Sequence, residues 1–422
     1  MSFNGTPNTA RLKVRDSYFW MVMIAFVLRL AYILIAHTYK FKTTDDNFGF
    51  GFEMGRIGRS LAQGRGFSNP FHGVTGPTAW EPPLYPFLIA AVFKVFGIYS
   101  KASAVVLLSI NSVFAALTCL PIFLIANECF GKNVARWTSW LWALLPPIMF
   151  WSTRWVWETS LATLLLTVIF WLTLVMDEKN GVLPWIQLGF LWGLAALTNT
   201  SLLAFLPASA LWIWYHAFRR RKDFLTHTAA AALVFVICIA PWIVRNYITF
   251  GHFIFIRSNF GAELRLGNGP GADGTWMEDL HPSKNAHELR LYGEMGETAY
   301  VAERKRQAVA FITQDYPRFA ILCAKRFAYY WGGVPRSRLS GRLVFSASSL
   351  LAFWGLGSAL RKNRPGAWLF FWLIVCYPLI FYFVFPLARY RHPIEPELGI
   401  LIVYLLCGAV KQVRGTPRAS RI

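Results

Sequence analysis

Apolar runs of roughly 16 to 26 residues recur along this chain, separated by short polar or basic stretches. Ten of them lie at 18–36, 102–127, 135–151, 156–176, 184–199, 202–218, 228–244, 343–360, 367–386 and 394–410. A helix of about 20 apolar residues crosses a bilayer core. The pattern therefore predicts an all-α polytopic membrane protein with about ten transmembrane helices. The run at 82–96 differs: it is short, opens with Pro82, Pro83 and Pro86, and carries Lys94. It is expected as a re-entrant or interfacial helix, whose free backbone groups need burial in protein or access to water. If it does not span, Lys132, Arg136, Lys179, the clusters at 219–222 and 361–364, and both tails share one side. By the positive-inside rule that side is cytoplasmic. The polar start, 1–16, runs directly into a full-length apolar segment, which is the pattern of an uncleaved N-terminus.

This reading divides the chain into three regions. Residues 1–244 form a transmembrane core with a first outer loop at 37–101. Residues 245–342 form a larger, mixed extracytoplasmic region. Residues 343–422 carry the last transmembrane helices and a basic cytoplasmic tail. Within the first loop, Met54, Ile57 and Leu61 make one apolar stripe on a helix predicted over 53–63, with Arg56, Arg59 and Gln63 facing away and Gly64 ending it. In the second region, 259–261 and 267–270 read as turns, 286–312 as a charged helix and 319–330 as an amphipathic one.

Composition agrees with a membrane protein: 55% of residues are hydrophobic and only 15% charged. The net charge of +21 is spread between apolar runs rather than over one soluble face, so anionic lipid head groups are the expected partner and nucleic acid is not. The six cysteines have no metal-type spacing and read as small buried hydrophobes.

Candidate chemistry crowds the predicted outer boundary. Glu53 opens the amphipathic helix, where a carboxylate interacts well with the helix dipole. Partial desolvation there would raise its basicity and suit it as a general base. Asp45 and Asp46 are the alternative base, or ligands for a hard divalent cation; no cofactor beyond that cation is called for. Glu81 precedes Pro82 and orients that turn. Arg245, Arg389 and Arg391 carry guanidinium groups suited to bidentate phosphate binding, and His392 either adds a donor or caps the next helix. Arg29, inside the first apolar run, is costly there and marks a functional hypothesis unless it snorkels. Arg154 and Glu158 are close enough in sequence to pair with each other.

Taken together, the stretches EMGRIGRSLAQGRG (53–66), PPLYP (82–86), APWIVRNYITFG (240–251), NFGAELRLGNG (259–269) and RYRHP (389–393) resemble the GT-C superfamily of polytopic glycosyltransferases, in the branch of protein O-mannosyltransferases and lipid A aminoarabinose transferases. The resemblance implies transfer of a sugar from a polyprenyl-phosphate carrier to a lipid, glycan or protein acceptor, with inversion, on the non-cytoplasmic face of a bacterial inner membrane. It also implies an acidic base in the first outer loop. The family pattern has an aspartate a few residues before the amphipathic helix, where this chain has Gly49, Phe50, Gly51 and Phe52, so Glu53, Asp45 and Asp46 all remain candidates. Relatives often carry arginine at the position of Asn199. A transporter or lipid flippase is the competing reading, but such proteins set their sites at the bilayer midplane between repeats, and no repeat is visible.

Overall fold

The computed structural model describes residues 8–41, 48–176, 181–217 and 223–415. Candidate residues Asp45 and Asp46, together with Lys179 and the cluster at 219–222, lie outside the described residues. The described residues are overwhelmingly helical, and extended pairing among them is limited to one antiparallel bridge between Ser68 and Pro77.

Each of the ten predicted apolar segments carries helix. Among the described residues, five helical stretches are long and apolar enough to cross a membrane: Tyr18–Ile35, Lys101–Phe130, Phe224–Phe250, Leu339–Arg361 and Ala388–Ala409. The others are shorter or broken, and the breaks follow from the residues. Helix Lys132–Leu144 stops before Pro146 and Pro147, because proline lacks the N–H the next turn needs and restricts the residue before it. The carbonyls this break would strand at Trp142 and Ala143 are taken by Arg29, whose Nη2 and Nη1 donate to them at 3.0 Å each. Arg29 is fully buried. It satisfies backbone inside the bundle rather than snorkelling to an interface, which meets the demand that buried polar backbone be paired.

The predicted short run forms helix Leu84–Phe96, about 20 Å long at 1.5 Å per residue, too short to span a bilayer core upright. It packs on the amphipathic helix Glu53–Ala62. Their shared core takes Phe50, Met54, Tyr85, Ile89 and Phe93 together with Val156 and Trp157. Arg56, expected to face away from the stripe, is buried, because a further segment covers that face of the helix: its Nη1 and Nη2 lie 3.4 Å from Ser283 Oγ and 3.0 Å from His72 Nε2.

Beyond helix Phe224–Phe250, the charged helix expected over 286–312 is two, Ala286–Met295 and Glu297–Gln314, split at Gly296. The amphipathic one is Tyr316–Gly332. The turn expected at 259–261 is instead the start of helix Phe260–Gly267. Gly261 serves close approach rather than a turn: an added Cβ there would collide with the Val301 carbonyl of the neighbouring helix. A buried carboxylate joins this region to the first loop. Glu297 accepts hydrogen bonds from Thr78 Oγ1, the Ala79 N–H (2.7 Å), Ser258 Oγ (2.6 Å) and Tyr292 OH (2.7 Å).

Candidate active site

A cavity of about 810 Å³ opens between the first loop, the start of helix Thr159–Val175, the region after 256 and the 3-10 turn Ala388–Ile394. Its walls hold Glu53, Glu81, Glu158, Glu263, Arg257 and Arg389, among aromatic rings that include Trp80, Trp155, Trp157 and Tyr390. Such a mostly apolar concavity with a few convergent polar groups is the usual form of a small-molecule site.

Glu53 is aimed by a strained turn. Gly51 has φ +88° and lies so close to the Val156 carbonyl that a Cβ would not fit. Phe52 follows at φ +51°, ψ −114°, outside the regions open to side-chain-bearing residues. Val156 N–H donates to Gly49 O at 3.0 Å, so the turn is fastened to the segment that carries Trp157 and Glu158. That segment is held in turn: Tyr85 OH donates to Asn111 Oδ1 (2.9 Å), and Asn111 Nδ2 to the Trp155 carbonyl (3.1 Å).

Glu53 is 5% exposed. Burial pushes its carboxyl above the ordinary range, against the pull of Arg56, its own helix N–H and Arg389. Two groups from the later region meet it: Ser283 Oγ donates to Oε1 at 3.4 Å, and His281 Nε2 sits 3.5 Å from the same oxygen. The Ser283 N–H donates to His281 Nδ1 (3.1 Å), so the proton of the neutral ring is on Nε2, facing Glu53. Burial lowers His281 to about 4, with Glu263 opposing, so the ring is neutral near pH 7 and its contact with Glu53 is a long hydrogen bond rather than an ion pair.

The cationic groups are divided. Arg257 donates from Nε to Trp80 O (3.1 Å) and pairs through Nη2 with Glu81 (3.3 Å). Burial alone would lower it, but Glu81 and Glu263 outweigh burial and raise it. Arg389 lies 3.7 Å over the Trp157 ring, and among the described residues its buried Nη1 has no hydrogen-bond partner. It is therefore a guanidinium with donor capacity left on the cavity wall.

The other residues of the predicted phosphate clamp lie elsewhere. Arg245 donates from Nη1 to Thr78 O (2.6 Å) and from Nη2 to Phe67 O (2.9 Å), and does not line the cavity. Arg391 is 2% exposed and bonds Glu395 (2.6 Å), Ser349 Oγ (2.8 Å) and Ser348 Oγ (2.7 Å). A 3-10 turn has three residues per turn, so side chains two positions apart point about 240° from each other. Arg389 and Arg391 consequently leave the turn on different faces. His392 is buried with its ring stacked on Trp142 at 5.5 Å. The expected Arg154–Glu158 pair is not formed. Arg154 Nε donates to Tyr32 OH (3.0 Å), and Glu158 accepts from Asn199 Nδ2 (3.1 Å). Arg257, His281 and Ser283 carried no sequence signal, since their roles arise from contacts with the first loop, more than 170 residues away. Among the described residues no three His, Cys, Asp or Glu side chains come together in a metal-binding group.

Comparison with known proteins bears on this scaffold. A family model described as Dolichyl-phosphate-mannose-protein mannosyltransferase matches residues 80–244. No sequence among the curated proteins matches the chain. Among solved structures, the oligosaccharyltransferase AglB of Archaeoglobus fulgidus, in complex with an inhibitory peptide and a dolichol-phosphate, aligns with TM-score 0.56 at 13% identity, over 95% of this chain and 52% of that one. An oligosaccharyltransferase of Archaeoglobus fulgidus in the apo form aligns with TM-score 0.53 at 15% identity, over 94% and 51%. ArnT of Cupriavidus metallidurans bound to undecaprenyl phosphate gives 0.42 at 12% identity, over 96% and 78%, a score too low to bear on the fold. The chain thus spans about half the length of the oligosaccharyltransferase it matches. The family match thus lies on residues 80–244 of this integral membrane protein, and its helical scaffold shares a fold with the archaeal oligosaccharyltransferase across nearly the whole chain.

Proposed function

We propose that the protein moves a sugar from a polyprenyl-phosphate carrier to an acceptor, with inversion, on the non-cytoplasmic face of a bacterial inner membrane. The observation that carries this reading is that a buried carboxylate, Glu53, and a guanidinium with free donor capacity, Arg389, share one aromatic-walled cavity. The chemistry needs little more. An acceptor hydroxyl or amine attacks the anomeric carbon while a carboxylate takes its proton. The carbon–oxygen bond to phosphate breaks, and the leaving phosphate keeps the electron pair as Arg389 meets its growing charge.

Glu53 is the base in this scheme, with Asp46 and Asp45 as the competing assignment. The phosphate-binding role falls to Arg389 alone among the four groups the sequence suggested, because Arg245, Arg391 and His392 are engaged within the protein scaffold. The decisive assay is transfer from radiolabelled polyprenyl-phosphate sugars in reconstituted membranes. Glu53→Gln should fold, bind donor and fail to transfer. Near-normal turnover by Glu53→Gln with a dead Asp46→Asn would move the base to the aspartate. Background turnover by the wild-type protein with every donor and acceptor would refute the reaction itself.

A further inference from the structure

Glu158 stands immediately before helix Thr159–Val175, yet its side chain does not cap that helix. It turns instead toward Asn199, whose Nδ2 donates to Oε1 at 3.1 Å. The asparagine amide has one usable orientation, because its Oδ1 already accepts from the Ser201 N–H (3.0 Å) and Ser201 Oγ (2.7 Å). Asn199 therefore offers Glu158 only its NH2 group and here satisfies a single oxygen. The other oxygen, Oε2, is buried without a hydrogen-bond partner among the described residues, in a residue that is 8% exposed and lines the cavity. An unmatched buried carboxylate oxygen is costly to the fold. Arg154, the nearby cation in sequence, is turned away to Tyr32.

The neighbours of that oxygen limit what it can receive. Trp157, the next residue back, carries Arg389 against its ring, and Phe48 and Trp155 lie edge to face at 4.3 Å on the same wall. A phosphate would be repelled by Glu158, and an isoprenoid tail has no proton to give it. A pyranose fits both features, with hydroxyl donors for the carboxylate and C–H faces for the rings. We propose that Glu158, positioned by Asn199 and flanked by Trp157, is a specificity-determining subsite that accepts a hydrogen bond from a hydroxyl of the donor sugar, beside the phosphate held at Arg389.

This inference rests on the sugar-transfer reading for its substrate class, but its test needs no turnover. Binding of farnesyl phosphate, and of farnesyl-phospho-mannose, -glucose and -galactose, is measured on the full-length protein in detergent. At least one hexose should bind more tightly than bare farnesyl phosphate. Glu158→Ala should erase roughly 10–100-fold of that gain, the range of one charge-assisted hydrogen bond, and should not weaken farnesyl phosphate itself, which loses a repelling charge. Glu158→Gln gives its oxygen to Asn199 and points its amide into the cavity, so it should lose part of the gain. It carries the test should the alanine variant not fold. The subsite is overturned if no hexose improves on farnesyl phosphate, if the variants keep the whole gain, or if both ligands weaken equally. Hexose-dependent binding lost in Glu158→Ala, in a wild-type protein that transfers nothing, would uphold the subsite and refute the transferase reading.

Discussion

Removing the Glu297 carboxylate should loosen the cavity from behind. Its two oxygens accept from four groups on three segments: Thr78 and Ala79 of the first loop, Ser258 after the long helix, and Tyr292. Glu297 is 4% exposed, so Glu297→Ala leaves those donors without solvent. The three hydroxyls can rotate toward other acceptors, but the Ala79 N–H cannot. At about 1–3 kcal/mol per stranded buried donor, with partial re-pairing, the cost is about 3–4 kcal/mol. The Trp80 N–H, which donates to Thr78 Oγ1 at 2.9 Å, reports it directly by hydrogen exchange. At about 1.4 kcal/mol per factor of ten, its protection should fall by about 10²–10³. Glu297→Gln should cost only about 1 kcal/mol, because its oxygen can face Ala79 and Ser258 while the Thr78 and Tyr292 hydroxyls turn to accept from the amide. Wild-type exchange at residues 78–81 in Glu297→Ala, or a glutamine variant as damaged as the alanine one, would refute the reasoning.

Four further outcomes are expected. If Glu53 is the base, transfer must fall as pH drops through its carboxyl pKa, and burial places that acid limb above the ordinary value of about 4.3; a kcat/KM profile still flat down to that value would exclude it. His281, lowered to about 4, is neutral in the folded protein while the unfolded chain protonates below about 6.5. Its contribution to stability is therefore complete above about 6.5 and lost as pH falls toward 4, worth at most about 3 kcal/mol, and His281→Phe should flatten that part of the melting-temperature profile. Arg245→Ala should cost about 2–3 kcal/mol through the stranded Thr78 and Phe67 carbonyls and leave farnesyl phosphate affinity unchanged, and Arg245→Lys should not restore stability because one ammonium lacks the guanidinium fork. Arg391→Ala should likewise lower the melting temperature without weakening donor binding, since its bonds run to Ser348, Ser349 and Glu395; weaker binding in a well-folded variant would return it to the site.

These expectations separate two jobs that arginine does in this protein. Arg29, Arg245 and Arg391 spend their donors on carbonyls and side chains of the scaffold. Arg389 alone among these four lines the cavity. At the site, Glu53 comes from the first loop, while the groups that touch its carboxylate come from beyond residue 280. The cavity wall around Glu53 therefore forms only when the first loop and the region after residue 245 are held together, as Glu297 and Arg245 hold them.

Much of the architecture could be read along the chain. Hydropathy is a local quantity, and a run of apolar residues has few stable outcomes other than a helix when it must bury its own backbone bonds. That is why the membrane class, the ten helical segments and the short proline-led helix were all legible. The amphipathic helix opening at Glu53 was legible for the same reason, since its stripe lies within a few turns. Partner choice was not. Arg389 and Arg391 are two residues apart and chemically identical, yet the pitch of one 3-10 turn sends the first into the cavity and the second into the bundle. Glu158 stands four positions from Arg154, yet it accepts from Asn199 while Arg154 donates to Tyr32. Which polar groups converge depends on packing between segments distant in sequence, where a rotation of a fraction of a turn reassigns every contact, and no property of the segments taken singly carries that information.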